Sequence, residues 1–214
     1  MMRQITIIFI FIALLSFPVY SQIGVRAGVN MANQDFRGLP EGVDVSSLTA
    51  FHVGVMYQLM PDYFLFRWFG LGLETGVLFS QKGSMFSISE TDQTGYNELN
   101  YIDVPLNLHL RFKFGKFGLF AYGGMFASCM VTGKTVYDEA EGTKEKWKLD
   151  NFNSRFDYGY SVGAGIDVLR KLQVGFNYSH SLENLLPVQY VNERMSSVSS
   201  IYNKMYSVNV TFLF

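Results

Sequence analysis

Along most of the chain apolar and polar residues alternate one by one, the period of an extended strand whose side chains point to opposite faces. In the last segment Tyr206, Val208, Val210, Phe212 and Phe214 interleave with Ser207, Asn209, Thr211 and Leu213, giving one apolar and one mostly polar face. Farther back, Phe156, Tyr158, Tyr160, Val162, Ala164, Ile166 and Val168 alternate with Asp157, Gly159, Ser161, Gly163, Gly165 and Asp167. Ile102, Val104, Leu106, Leu108, Leu110, Phe112 and Phe114 oppose Asp103, Asn107, His109, Arg111 and Lys113 in the same way. Pro105 lies in that run and, having no N–H for a ladder, predicts a local bulge. Similar runs at 23–33, 48–59, 70–83, 116–130 and 172–181 bring the expected strands to eight. The run 116–130 is apolar on both sides (Leu119, Ala121 and Met125 against Phe120, Tyr122 and Phe126), so its facing stays open.

The connections between these runs alternate in length. Stretches 34–47, 84–96, 131–152 and 182–202 are long, whereas Gly115 and the Arg170-Lys171 pair mark tight turns. The connection 60–69 is longer and aromatic, with Tyr63, Phe64, Phe66, Trp68 and Phe69. Long loops at one end and short turns at the other are the arrangement of an eight-stranded antiparallel up-and-down transmembrane β-barrel, with the long loops outside the cell. A soluble lipocalin-like barrel has the same period with its apolar side chains turned inward. The polar face decides between them, because it mixes glycine with charges of both signs (Gly24, Arg26, Gly28; Gly72, Glu74, Gly76), which suits a narrow lumen better than a wet exterior. Aromatics near the ends of the apolar faces, Phe51 and Tyr57, Phe156 and Tyr158, Phe212 and Phe214, fall where interfacial girdles sit.

Before the first strand, Arg3 is the only charge ahead of an almost wholly apolar run from Ile5 to Val19, and Val19-Tyr20-Ser21 offers compact residues at a processing site. Residues 1–21 are expected to be a cleaved signal peptide and 22–214 the barrel domain, since the apolar run is too short to span a bilayer as a helix. Composition adds exclusions. With 17 basic and 18 acidic residues the net charge of −1 offers nothing to a phosphate backbone, so nucleic acid is not an expected partner. A single cysteine, Cys129, excludes an intramolecular disulfide framework.

Several segments resemble the PorT-family porin-like outer-membrane β-barrels: Gly24-Val-Arg-Ala-Gly-Val-Asn-Met, Leu73-Glu-Thr-Gly-Val-Leu-Phe-Ser-Gln-Lys-Gly83, Tyr101-Ile-Asp-Val-Pro-Leu106 and Gly159-Tyr-Ser-Val-Gly-Ala-Gly-Ile166. The likeness extends over the whole expected mature chain, and the Tyr101–Leu106 pattern is its most specific piece. It implies location in the cell outer membrane, outer-membrane lipids and the barrel-assembly machinery as partners, and an envelope or secretion protein as a further partner. The terminal Phe214 resembles the C-terminal aromatic assembly signal of such barrels.

The candidate chemistry lies on the polar faces. Arg26, Glu74, Asp103, His109, Arg111, Asp157 and Asp167 are expected to form a polar network in a lumen just wide enough for side chains to fill. Buried charges need partners, and similar depth on adjacent strands predicts a Glu74–Arg111 ion pair. No metal or cofactor is expected: His52, His109 and His180 lie on three strands without metal-ligand spacing. His180, Ser181 and Glu183 have the residue types of a serine hydrolase but no nucleophile elbow accompanies them. No catalytic residue is therefore assigned. Glycine runs such as Gly159, Gly163 and Gly165 lack the strand-to-helix setting of a phosphate cradle. The charged stretch 134–150 around Trp147 is a candidate contact surface on the outer side. The expected role is non-enzymatic, structural or protein-interacting, with a passive small-solute porin and a lipid-modifying enzyme as the alternatives.

Overall fold

The computed structural model describes residues 19–38, 43–61, 68–88, 93–137, 144–147, 155–169, 171–184 and 200–214. They form strands β1 (Val19–Arg37), β2 (Val43–Pro61), β3 (Phe69–Ile88), β4 (Gln93–Phe114), β5 (Phe117–Tyr137), β6 (Lys144–Trp147), β7 (Phe156–Val168), β8 (Leu172–Ser181) and β9 (Ser200–Leu213). Eight of these close a ring in which each strand is antiparallel to its neighbours; β4 passes to β5 and β5 to β7, and β9 returns to β1. The short β6 stands outside the ring, paired to the far end of β5 through Gly133↔Trp147 and its three neighbours. Following paired residues once round, Gln22 leads to Gln58, Glu74, Asn107, Gly124, Ser161, Ser179, Met205 and back to β1 at Ala32, ten residues farther along. A stagger of that size over eight strands tilts them by about 40° and leaves an interior that side chains can fill.

Alternation sends one side chain in and the next out. Val25 is 43% exposed on the outer wall while Arg26 beside it is 4% exposed. The same contrast separates Leu73 from Glu74, Leu108 from His109 and Val210 from Thr211. Most strands of the ring thus present an apolar exterior and a polar interior, the inverse of a water-soluble barrel.

Three sequence expectations change. The stretches 34–47 and 84–96 are mostly strand, because β1 to β4 continue past the apolar segment with polar residues that still pair, as Asp44↔Ser87 and Ser84↔Asn97 do. Pro105 makes no bulge. Thr75↔Leu106 and Leu78↔Asp103 keep one register on either side of a two-residue gap in the ladder, and the Thr75 hydroxyl donates to the Pro105 carbonyl at 2.8 Å. Register shifts occur instead between Ser47 and His52 and between Asn100 and Tyr101. The residues 1–18, most of the connections 60–69 and 182–202, and half of 131–152 lie outside the described residues.

The facing of β5 is now defined, with Phe120, Tyr122 and Met130 buried inside and Leu119, Met125 and Val131 exposed outside. Aromatic rings fit within so narrow a ring because β7 opposite them carries glycine. A Cβ built at Gly165 would stand 2.6 Å from the Phe120 ring, one at Gly159 2.8 Å from Phe126, and one at Gly163 would collide with Tyr122. Gly163→Val is therefore expected to lower the folded barrel's stability by about 1–3 kcal/mol through overpacking. Reversible urea unfolding in lipid vesicles, followed by tryptophan fluorescence, measures the shift.

Candidate functional site

The seven lumenal residues singled out in the sequence all point inward and are buried. They fall into two separate clusters. Near the short-turn end the Arg26 guanidinium grips Glu74 with both terminal nitrogens, at 3.1 and 2.9 Å, and donates its Nε to the Thr211 hydroxyl. Such a two-pronged pair is the geometry in which arginine best neutralises a carboxylate. Gln58 donates to the same carboxylate at 2.7 Å, Asn107 donates at 3.3 Å, and the His109 ring nitrogen Nδ1 lies 3.4 Å from it. His109 lies against the rings of Phe120 and Tyr122, which also stack on one another, and Arg26 sits over the Tyr122 ring.

The expected Glu74–Arg111 pair gives way to a different one. The β3–β4 register sets Glu74 opposite Asn107 and Arg111 opposite Gly70, four residues away, so Glu74 takes Arg26 and Arg111 takes Asp167 at 3.0 Å. The two pairs are joined by Gln58, which donates to Glu74 and Gln173 and accepts from Arg111 Nη2 at 2.9 Å.

The second cluster lies eight residues farther along β3, roughly 26 Å of strand. Lys82 places its ammonium 3.3 Å from Asp103 Oδ1 and 3.4 Å from Asp157 Oδ2, donates to Ser128, and is flanked by the Tyr101 and Phe126 rings. Ser181 and Asn203 donate to the same Asp157 oxygen at 2.7 and 3.1 Å. Buried Leu99, Tyr101 and Met130 cover this layer. Lys82, Gln58 and Gln173 were missed by the sequence reading. Parity was the available signal, since Lys82 shares the inward face with Glu74 and Ser80, and neutral glutamines do not draw the eye as charges do.

Between the clusters is a chamber with about 60 Å³ of free space, bounded by Arg26 and Tyr122 on one side and by Lys82 and Asp103 on the other. His52 also borders it, with Nδ1 2.6 Å from Asn30 Oδ1. The hydrolase residue types are not assembled. Ser181 Oγ points inside to Asp157, whereas His180 faces outward between the rings of Tyr160 and Tyr202, because adjacent strand residues face opposite ways. Among the described residues no group of three or more His, Cys, Asp or Glu is placed to hold a metal ion. Beyond the apolar band, Lys134 pairs with Glu98 at 2.9 Å, and that hydrogen bond raises the pKa of its ammonium. Phe214 is exposed at the end of the wall, its N–H bonded to the Ile23 carbonyl and its ring edge-on to Phe212.

An apolar exterior, a charged and filled interior and an eight-strand ring are joined by a family match: residues 16–186 fit the outer membrane protein beta-barrel domain. The chain belongs to that family. Its place is the outer membrane, and the exposed wall residues face lipid. No curated protein matches the sequence. Among solved structures it is similar to the attachment invasion locus protein Ail of Yersinia pestis, at 13% identity with TM-score 0.41 over 91% of this chain and 99% of the other. Neisserial surface protein A gives 10%, 0.42, 91% and 99%, and the outer membrane enzyme PagL gives 10%, 0.48, 88% and 98%.

Removing one partner of the inner pair leaves the other charged and unpaired in the barrel. Glu74→Ala is expected to cost about 3–5 kcal/mol of stability, and Glu74→Ala combined with Arg26→Ala less than the sum of the single changes. A double-mutant cycle of urea midpoints in lipid vesicles checks both.

Proposed function

We propose that the mature barrel, after removal of residues 1–21, is a non-enzymatic outer-membrane protein of the PorT-like group with a structural or protein-interaction role in the envelope, as an accessory of secretion or envelope integrity. The observation that carries this reading is the interior. Glu74, Gln58, His109, Gln173 and Thr211 are fully buried in one layer across the lumen, and Asp157, Ser181 and Tyr101 are equally inaccessible in the next. A passage so filled does not favour passive solute diffusion. The opposite facing of His180 and Ser181 does not favour the lipid-modifying alternative, since it keeps those two residue types apart. Among the described residues a surface available to a partner is the outward-projecting part of the wall, where β4 and β5 stay paired as far as Gly95↔Tyr137 and carry β6.

Single-channel recording of the refolded protein in a planar bilayer is expected to show no steady conductance; a stable ohmic channel would return the porin alternative. In cells, replacing residues 138–150 with a short glycine-serine linker is expected to abolish co-purification of envelope proteins by the tagged barrel while preserving its heat-dependent gel mobility. Unchanged co-purification would remove this rim from the interaction surface.

A further inference from the structure

The outer faces of β7, β8 and β9 carry an aromatic frame around a cation. Alternation puts Lys204 on the lipid face with Tyr206, Val208, Val210 and Phe212, and the β8–β9 register sets it directly opposite His180. The next outward pair along these strands is Tyr178 with Tyr206, whose ring centroids are 5.1 Å apart. From β7, Tyr160 pairs with His180 at 5.7 Å between rings and lies 6.4 Å from Tyr178. Tyr202, two residues from Lys204 on the same face, stacks on His180 at 6.4 Å. Four tyrosines thus frame one lysine and one histidine on the outer wall.

Neither basic group is answered by the protein. Lys204 makes no ion pair among the described residues, and the buried Nδ1 of His180 has no hydrogen-bond partner there. On the β1 side Lys204 stands opposite neutral Asn33, and Asp35 and Arg37, which follow on the same face of β1, offset one another in charge. Two basic side chains set opposite each other across neighbouring strands repel when both are charged, so the arrangement gains from an anion beside them. Depth says where that anion comes from. Lys204 lies ten residues before Phe214, about 33 Å of strand, which a tilt of about 40° reduces to about 25 Å along the membrane normal. That is the height of a barrel's apolar band, so the ammonium stands where the band ends and lipid headgroups begin. On the side of β4 and β5, by contrast, Lys134 is already neutralised by Glu98.

We propose that the outer faces of β7, β8 and β9 hold one phosphorylated lipid of the outer leaflet, with its phosphate on Lys204 and His180 and its acyl region against the tyrosine rings. Tyrosine suits this boundary, having an apolar ring for the chains and a hydroxyl for the headgroup. Toward the bilayer centre Phe176, 50% exposed, stacks on Tyr206 at 6.0 Å, a surface that serves an acyl chain and gives a free anion nothing. This goes beyond the general contact of a barrel wall with lipid, because it assigns a single anionic headgroup to one side of the ring.

The test counts lipid bound to the folded barrel. Protein refolded in dodecyl maltoside micelles and titrated with dioleoylphosphatidic acid is expected, by native mass spectrometry, to retain one lipid saturably and to hold dioleoylphosphatidylcholine about fivefold more weakly. Lys204→Gln is expected to weaken phosphatidic acid binding about fivefold, and adding His180→Phe, which keeps the ring but removes its nitrogens, to weaken it further. Lys116→Gln, the same loss of charge at an exposed short turn, is expected to leave it unchanged. Heat-dependent gel mobility reads the folding of each variant. Equal affinity for the two lipids, unchanged affinity in Lys204→Gln, or an equal loss in Lys116→Gln would each overturn the proposal. Displacement of the lipid by inorganic phosphate would overturn it too, since the cation would then serve a free anion. Should Lys204→Gln fail to fold, the comparison of the two lipids on the unaltered protein decides.

Discussion

The constraint on which the rest depends is that a charge enclosed by a closed ring of strands has no solvent to turn to. Glu74 is fully buried, and its carboxylate is gripped by an arginine, an amide from Gln58 and an amide from Asn107. Those partners come from β1, β2 and β4, so satisfying one carboxylate fixes three other strands relative to β3. Register, which alternation alone leaves free to slip by two, is locked by the interior. The outer wall cannot do this, since Val, Leu and Ile slide past one another against lipid with little penalty.

The same narrowness governs the uncharged part of the lumen. Rings of β5 occupy the space that glycines of β7 leave free, and His109 packs against two of those rings while it meets Glu74. Glycine here sets the bore. A chain with larger residues at Gly159, Gly163 and Gly165 would have to surrender the aromatic layer, the histidine's position and with it one contact to the carboxylate.

Much of this architecture was legible in the sequence because alternation is a local property. Strand identity, the inward facing of Arg26, Glu74 and Asp157, and the polarity of the two surfaces follow from parity alone. Pairing is not local. It depends on the ten-residue stagger accumulated around the ring, and this is why Glu74 meets Arg26 rather than Arg111. The facing of β5 was hidden for another reason, its inward positions being aromatic and therefore indistinguishable by polarity from its lipid face until the opposing glycines are seen. The extensions of β1 to β4 beyond the apolar band were likewise obscured, because past the bilayer neither face needs to be apolar and alternation fades while pairing persists.

The wall is uneven. Among the described residues β2, β3, β4 and β5 run for 19, 20, 22 and 21 residues, whereas β7, β8 and β9 have 13, 10 and 14. A cylinder of level height looks the same from every direction in the plane of the membrane. Among the described residues the paired strands reach farther along β2 to β5 than along β7 to β9, so the ring possesses a heading: a neighbour drifting in along the bilayer meets the long paired strands from one quarter. Rotation about the membrane normal thereby becomes a coordinate that an assembly can fix, and a nearly cylindrical protein gains an orientation.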